Sequence, residues 1–225
     1  MIEQTVTLAG ARLTARGSGA LWWAERRLIC VADLHLGKSE RIARRGGALL
    51  PPYETRETIA RLAAEIAALD PATVLCLGDS FDDMASADAL PEADRAALAA
   101  LARGRDWIWL AGNHDPAPHG LDGGRAETLA LGPLTFRHAA LPEAEPGEIS
   151  GHYHPKLRVA LRTGTLSRPC FLCDRRRLIL PAFGAYTGGL DLGSSPALAA
   201  LIEPDARAIL TGAPCVTLPA FRASA

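Results

Sequence analysis

No apolar run in this 225-residue chain approaches the roughly 20 residues needed to cross a bilayer. The N-terminus, Met1-Ile-Glu-Gln-Thr, lacks a basic stretch followed by an apolar one. Neither a membrane span nor a secretory leader is expected, and the expected location is cytoplasmic. Cysteine is scarce and odd in number, five in all, which excludes a fully paired disulfide framework. Cys30 and Cys76 sit in apolar runs that read as buried strands, where a thiol behaves as a small hydrophobe. Cys170 and Cys173 form a Cys-x-x-Cys, but no second pair completes a four-ligand zinc site. Net charge is also lacking. At −1 it exerts no global pull toward nucleic acid. Its distribution is uneven, because residues 151–225 carry nine Lys/Arg against four Asp/Glu. A phosphate-binding face could therefore include the C-terminal half, or Arg175-Arg176-Arg177 could be a solvated turn. Hydrophobic content is not lacking: 48% with scattered charge marks a globular chain, read as one domain over residues 1–225.

The chain holds six histidines, and most fall in short fragments that follow apolar runs. These are Asp33-Leu34-His35, Gly78-Asp79, Gly112-Asn113-His114-Asp115 and Gly151-His152-Tyr153-His154. Each places oxygen or nitrogen donors just past an expected strand. Asp33 and His35, and likewise His152 and His154, stand two residues apart, the spacing at which extended side chains share a face. Carboxylate, amide and imidazole together suit two divalent cations, manganese foremost, with iron or zinc as alternatives. Two cations about 3.5–4 Å apart can clamp the attacking and leaving oxygens of an in-line phosphoryl displacement. They need a bridging ligand, and Asp79 in its tight turn is the candidate. His114, oriented by Asp115, is the candidate acid for a leaving alkoxide.

In order and spacing these fragments resemble the calcineurin-like metallophosphoesterases: Asp-x-His, Gly-Asp, Gly-Asn-His-Asp, a lone His, then Gly-His-x-His. The lone His is either His119 or His138; His138 is favoured because it follows the strand-like Leu134–Arg137, whereas His119 sits in a turn-rich loop. The resemblance implies one metal held by Asp33, His35, Asp79 and His154, and another by Asp79, Asn113, His138 and His152. It also implies an α/β fold, a sandwich of two mixed β-sheets flanked by helices. A narrower likeness covers nearly the whole chain. Ala32–Lys38, Leu50-Pro51, Gly151–Pro155, Pro169–Phe171 and Pro181–Gly189 look like the bacterial ligase-associated DNA damage response endonucleases. That likeness implies a metal-dependent DNA phosphodiesterase in DNA repair, working with a ligase and a helicase. Rival readings are a phosphoesterase for a nucleotide or lipid pyrophosphate, and a non-catalytic module on the same fold.

Several side chains carry two readings. Lys38 and Arg41 follow the first motif at once, and are expected to form a basic lip on the phosphates flanking the scissile bond. They could instead be a solvated helix face. Asp82 and Asp83 could orient ligand histidines or cap a loop. Tyr186 with Gly184–Gly189 could line the cleft or make a turn. His119 is expected to be exposed. The coarse pattern is short strands over residues 4–32, then helix 55–69, strand 72–77, helix 91–102 and strand 107–111. This alternation predicts parallel strands with crossover helices. Beyond residue 125, short segments suggest an antiparallel half, closing in a hairpin over 207–218.

Overall fold

A computed structural model describes residues 3–221 of the chain. Its first seven strands form one sheet in sequence order: β1 (Glu3–Leu8), β2 (Ala11–Arg16), β3 (Leu21–Trp23), β4 (Leu28–Val31), β5 (Thr73–Cys76), β6 (Asp106–Leu110) and β7 (Gly124–Ala126). Strands β1 to β4 pair antiparallel and β4 to β7 pair parallel. The crossovers carry four helices: α1 (Lys38–Arg44), α2 (Glu54–Leu69), α3 (Met84–Asp88) and α4 (Glu92–Ala102). The second sheet holds β8 (Thr128–Leu131), β9 (Leu134–Arg137), β10 (Glu148–Ser150), β11 (Lys156–Leu161), β12 (Gly164–Cys173), β13 (Arg177–Ile179), β14 (Arg207–Leu210) and β15 (Val216–Pro219). A fifth helix, α5 (Pro196–Leu201), lies before β14.

The expected antiparallel second half is mixed, because β10 runs parallel to both β9 and β13. Where sequence suggests only short segments, β11 and β12 form a long antiparallel hairpin. The basic segment after His35 opens with α1, and α3 and β7 add short elements that hydrophobic periodicity does not reveal.

Burial explains the layering. Leu28, Leu75 and Leu110 of the first sheet meet Phe136, Phe171 and Leu178 of the second in one shared core. The other face of the first sheet, with Ile29, Val74 and Trp107, packs on Ile59, Leu62 and Ile66 of α2 and Leu98 of α4. Fully burying each such side chain stabilises the fold by about 1.5–3 kcal/mol. Helix α2 stops at Asp70, left-handed at φ 43°, whose N–H returns to the carbonyl of Ile66 before Pro71. Cys170 faces the core under α5 while Cys173 packs on the inter-sheet core, as strand alternation requires, so the Cys-x-x-Cys splits across the sheet. All five cysteines are free thiols. No helix among the described residues is long and apolar enough to cross a membrane.

Candidate metal centre

Every motif leaves the C-terminal end of a strand, and the ends converge: β4, β5 and β6 from the first sheet, β9 and β10 from the second. Asp33, His35 and His154 bring ligand atoms within 4.8 Å of one another, and so do Asp79, His138 and His152. In the first group His154 Nε2 lies 3.3 Å from both His35 Nε2 and Asp33 Oδ1. In the second, His138 Nε2 lies 2.9 Å from Asn113 Oδ1, 3.1 Å from His152 Nδ1 and 3.4 Å from Asp79 Oδ2. His138 Nδ1 stands 3.9 Å from Asp33 Oδ1, so the groups adjoin. Asp79 itself falls in the second group.

The backbone achieves this by local strain, not by strand alternation. Asp33 (φ 54°), His35 (45°), Asp79 (47°), His152 (70°) and His154 (45°) are all left-handed. Non-glycine residues rarely adopt that conformation, and such outliers cluster at functional sites. The expected extended Asp-x-His is therefore corrected: β4 ends at Val31, and the two side chains converge through a kinked loop. Gly112 is needed for close approach, since a Cβ there would strike Asp79 N and Oδ1 and come within 2.6 Å of Asp115 Oδ1.

Buried partners fix which ring nitrogens face the centre. His138 Nδ1 lies 2.8 Å from the Leu77 carbonyl and donates to it, which leaves Nε2 as a lone-pair donor toward a cation. His35 Nδ1 lies 2.8 Å from Asp82 Oδ1, so its Nε2 is likewise free. Asp82 thus has the orienting role that sequence left open. Asp83 instead caps α3, accepting from Ser86 N at 2.8 Å. Lys38 and Arg41 do not form an outward lip. Their charges close on Asp82, at 3.3 and 2.7 Å, and both side chains are largely buried. Burial alone would raise the Asp82 carboxyl, but His35, Lys38 and Arg41 hold it well below the usual carboxylate range. Asp79, likewise opposed by burial, is held at about 2 by His138 and His114.

Two further expectations are corrected. Asp115 does not touch the His114 ring. Its buried carboxylate accepts from the N–H groups of Asp79, Ser80 and Gly112 at 2.8–3.0 Å, stapling two ligand loops together. His114 is oriented instead by the Asp82 carbonyl, 2.7 Å from its Nδ1, with Nε2 4.0 Å from Asp79 Oδ2. His119 is not exposed: at 7% exposure its ring lies between Phe81 and Trp109, centroids 4.9 and 4.8 Å away. Between the two candidates for the lone His, it is His138 that stands in the cluster. Arg177 is buried against Glu148, whereas Arg175 is exposed beside Glu203, so the arginine run is neither one solvated turn nor one phosphate face.

A model of the calcineurin-like phosphoesterase family matches residues 26–161, the span from β4 to β11 that carries these ligands. The chain belongs to that family. Among solved structures it is similar to the crystal structure of Pseudomonas putida nuclease MPE, at 30% identity over 96% of this chain and 100% of that one, with a TM-score of 0.73. No curated protein sequence matches significantly. The donor chemistry of this phosphoesterase fits divalent cations. Its lone pairs face one another at 2.9–3.4 Å across each group, an arrangement that a cation between them satisfies. Sequence reasoning missed Asp115 as a staple and left Asp82 open. The signal available for Asp82 was its place three residues past Asp79, within reach of the first motif.

Proposed function

We propose that this chain is a two-metal phosphodiesterase that cleaves DNA. The observation that carries the proposal is the pair of adjoining donor groups, each with one imidazole, His35 or His138, pre-oriented by a buried partner. The likeness to a nuclease across nearly the whole chain supports a nucleic acid over a small ester. Asp33, His35 and His154 would hold one cation and Asn113, His138 and His152 the other, with Asp79 the bridging carboxylate. Manganese is the proposed metal. Two such cations would supply Lewis acidity toward a phosphate and lower the pKa of an attacking water.

The chain's own groups do the rest. Asp82 and Leu77 hold the tautomers of His35 and His138, so that a lone pair stays aimed inward. Asp115 keeps Asp79 and the Gly112 turn in register. His114 stands at the rim, its Nδ1 proton committed to the Asp82 carbonyl. Its Nε2, 4.0 Å from Asp79 Oδ2, is the proposed proton donor to the leaving alkoxide. A role in DNA repair beside a ligase and a helicase belongs to the same proposal.

The test is to offer the manganese-loaded protein single-stranded DNA, duplex DNA, bis(4-nitrophenyl) phosphate and 4-nitrophenyl phosphate. Cleavage of DNA and the diester, with little attack on the monoester, is expected. Turnover confined to the monoester, or to small diesters, would reject DNA as the substrate.

A further inference from the structure

We propose a nucleotide subsite beside the first donor group, in the cavity of about 360 Å³ walled by Arg61, Arg168, Tyr186 and the Ser18 turn. It would take the nucleotide next to the scissile phosphate, with its base on the Tyr186 ring and its phosphate on Arg168. The inference rests on the phosphodiesterase reading and adds residues to it.

One wall of the cavity, through Gly184, Tyr186 and Thr187, belongs to a loop hydrogen-bonded to the backbone of two ligand residues. The loop from Phe183 to Leu190 is bolted to ligand backbones at both ends: Gly184 N donates to the Asp33 carbonyl at 3.1 Å, and Leu190 N to the His154 carbonyl at 3.2 Å. At Gly184 a Cβ would strike the Leu34 carbonyl, so the loop lies directly against the first motif. The loop therefore adjoins the backbone of both ligand segments, and the proposed strand would pass from the centre to it.

Arg168, and Arg61 with Glu57 and Glu65 in its field, bring positive charge to the walls. Arg61 donates to the carbonyls of Phe183 and Ser18 at 2.9 and 2.7 Å, and its guanidinium stacks on the Phe183 ring. Arg168 donates to the Thr211 carbonyl at 3.1 Å. Among the described residues, neither forms an ion pair with a carboxylate, although a half-buried guanidinium ordinarily has one. A phosphate at Arg168 would accept charge-assisted hydrogen bonds.

Tyr186 supplies the second recognition element. It is one of the few large hydrophobic residues left exposed, at 46%. Its backbone is held in the left-handed region, φ 59°, by bonds from Thr187 Oγ1 to the Gly184 carbonyl and from Ala185 N to Thr58 Oγ1. An exposed aromatic beside a cationic cavity is the combination by which proteins stack an unpaired base.

The experiment measures binding of a fluorescent phosphorothioate oligothymidylate, which resists hydrolysis, to the metal-loaded protein. Tyr186→Leu should weaken binding by roughly 10-fold, because a stacked base is lost, while Tyr186→Phe should bind like the wild type. Arg168→Ala should flatten the salt dependence by about 0.7 in slope, one phosphate contact on a single strand, and Arg168→Lys should restore it. Equal binding by the Leu and Phe variants, an unchanged slope for Arg168→Ala, or no binding by any form would overturn the subsite. Cleavage of the unmodified oligonucleotide by the same wild-type preparation tests the phosphodiesterase reading separately. Cleavage without these variant effects rejects the subsite alone; variant effects without cleavage reject the reading alone.

Discussion

His114 is the one motif histidine outside the two donor groups proposed to hold the cations, and its geometry sets a clear expectation. Its Nδ1 is tied to the Asp82 carbonyl and its Nε2 lies 4.0 Å from Asp79 Oδ2. His114→Ala should keep both metals yet lose about 10²–10⁴-fold in rate on DNA, the usual scale of general acid catalysis. The loss should shrink on a nitrophenyl diester, whose leaving group needs no proton. Equal losses on both substrates would remove proton delivery from its role. His119 makes a different prediction. Burial, with Arg125 and Arg95 nearby, lowers its pKa from 6.5 to about 4. Between those values the unfolded chain binds a proton that the folded chain refuses, so stability falls as pH falls through that window. His119→Leu should remove this contribution. Urea unfolding at pH 7 and pH 5 should then show a smaller acid loss for the variant than for the wild type; parallel losses would contradict the account. Residue types told much at this scale, since the motif histidines and carboxylates advertise themselves. Partner choice was hidden. That Asp115 staples backbone N–H groups, and that Asp82 orients His35, depends on loops meeting in space.

Strand positions were the legible elements, because apolar runs ending in Gly or Asp mark both a buried strand and its stop. The runs before Asp33, Asp79, Asn113 and His138 are β4, β5, β6 and β9. What the runs conceal is the conformation just beyond them. A spacing of two suggests extended backbone, yet Asp33, His35, His152 and His154 are left-handed, and only the surrounding hydrogen bonds impose that strain. Helix α1 was concealed for a related reason. Its cations are expected from sequence to form a lip on substrate phosphates, with a solvated helix face as the alternative, whereas Lys38 and Arg41 turn inward onto Asp82. The consequence is testable at the level of the helix. Lys38→Ala/Arg41→Ala should loosen Asp82 and, through it, His35. Metal affinity should drop by about 10–100-fold, the usual effect of losing an orienting partner, and turnover of DNA and of a small diester should fall together at limiting metal. Selective loss of DNA cleavage with metal affinity intact would restore the basic lip.

At the scale of the molecule, two sheets share one core, and each sends strand ends to the same edge. The centre therefore forms only when both sheets are docked. Phe136 and Phe171, fully buried between them, hold that docking. Sequence order could place the ligands on strand ends, but not show that β10 lies parallel between β9 and β13, the arrangement that sends the β9 and β10 ligands, His138, His152 and His154, to one edge. This edge is the proposed seat of two cations bridged by Asp79. Equilibrium dialysis against manganese, with DNA cleavage followed on the same samples, tests it most directly. The wild type should bind two ions per chain, and Asp79→Ala should lose most of both the binding and the cleavage. Two tightly bound ions and undiminished cleavage in Asp79→Ala would contradict it.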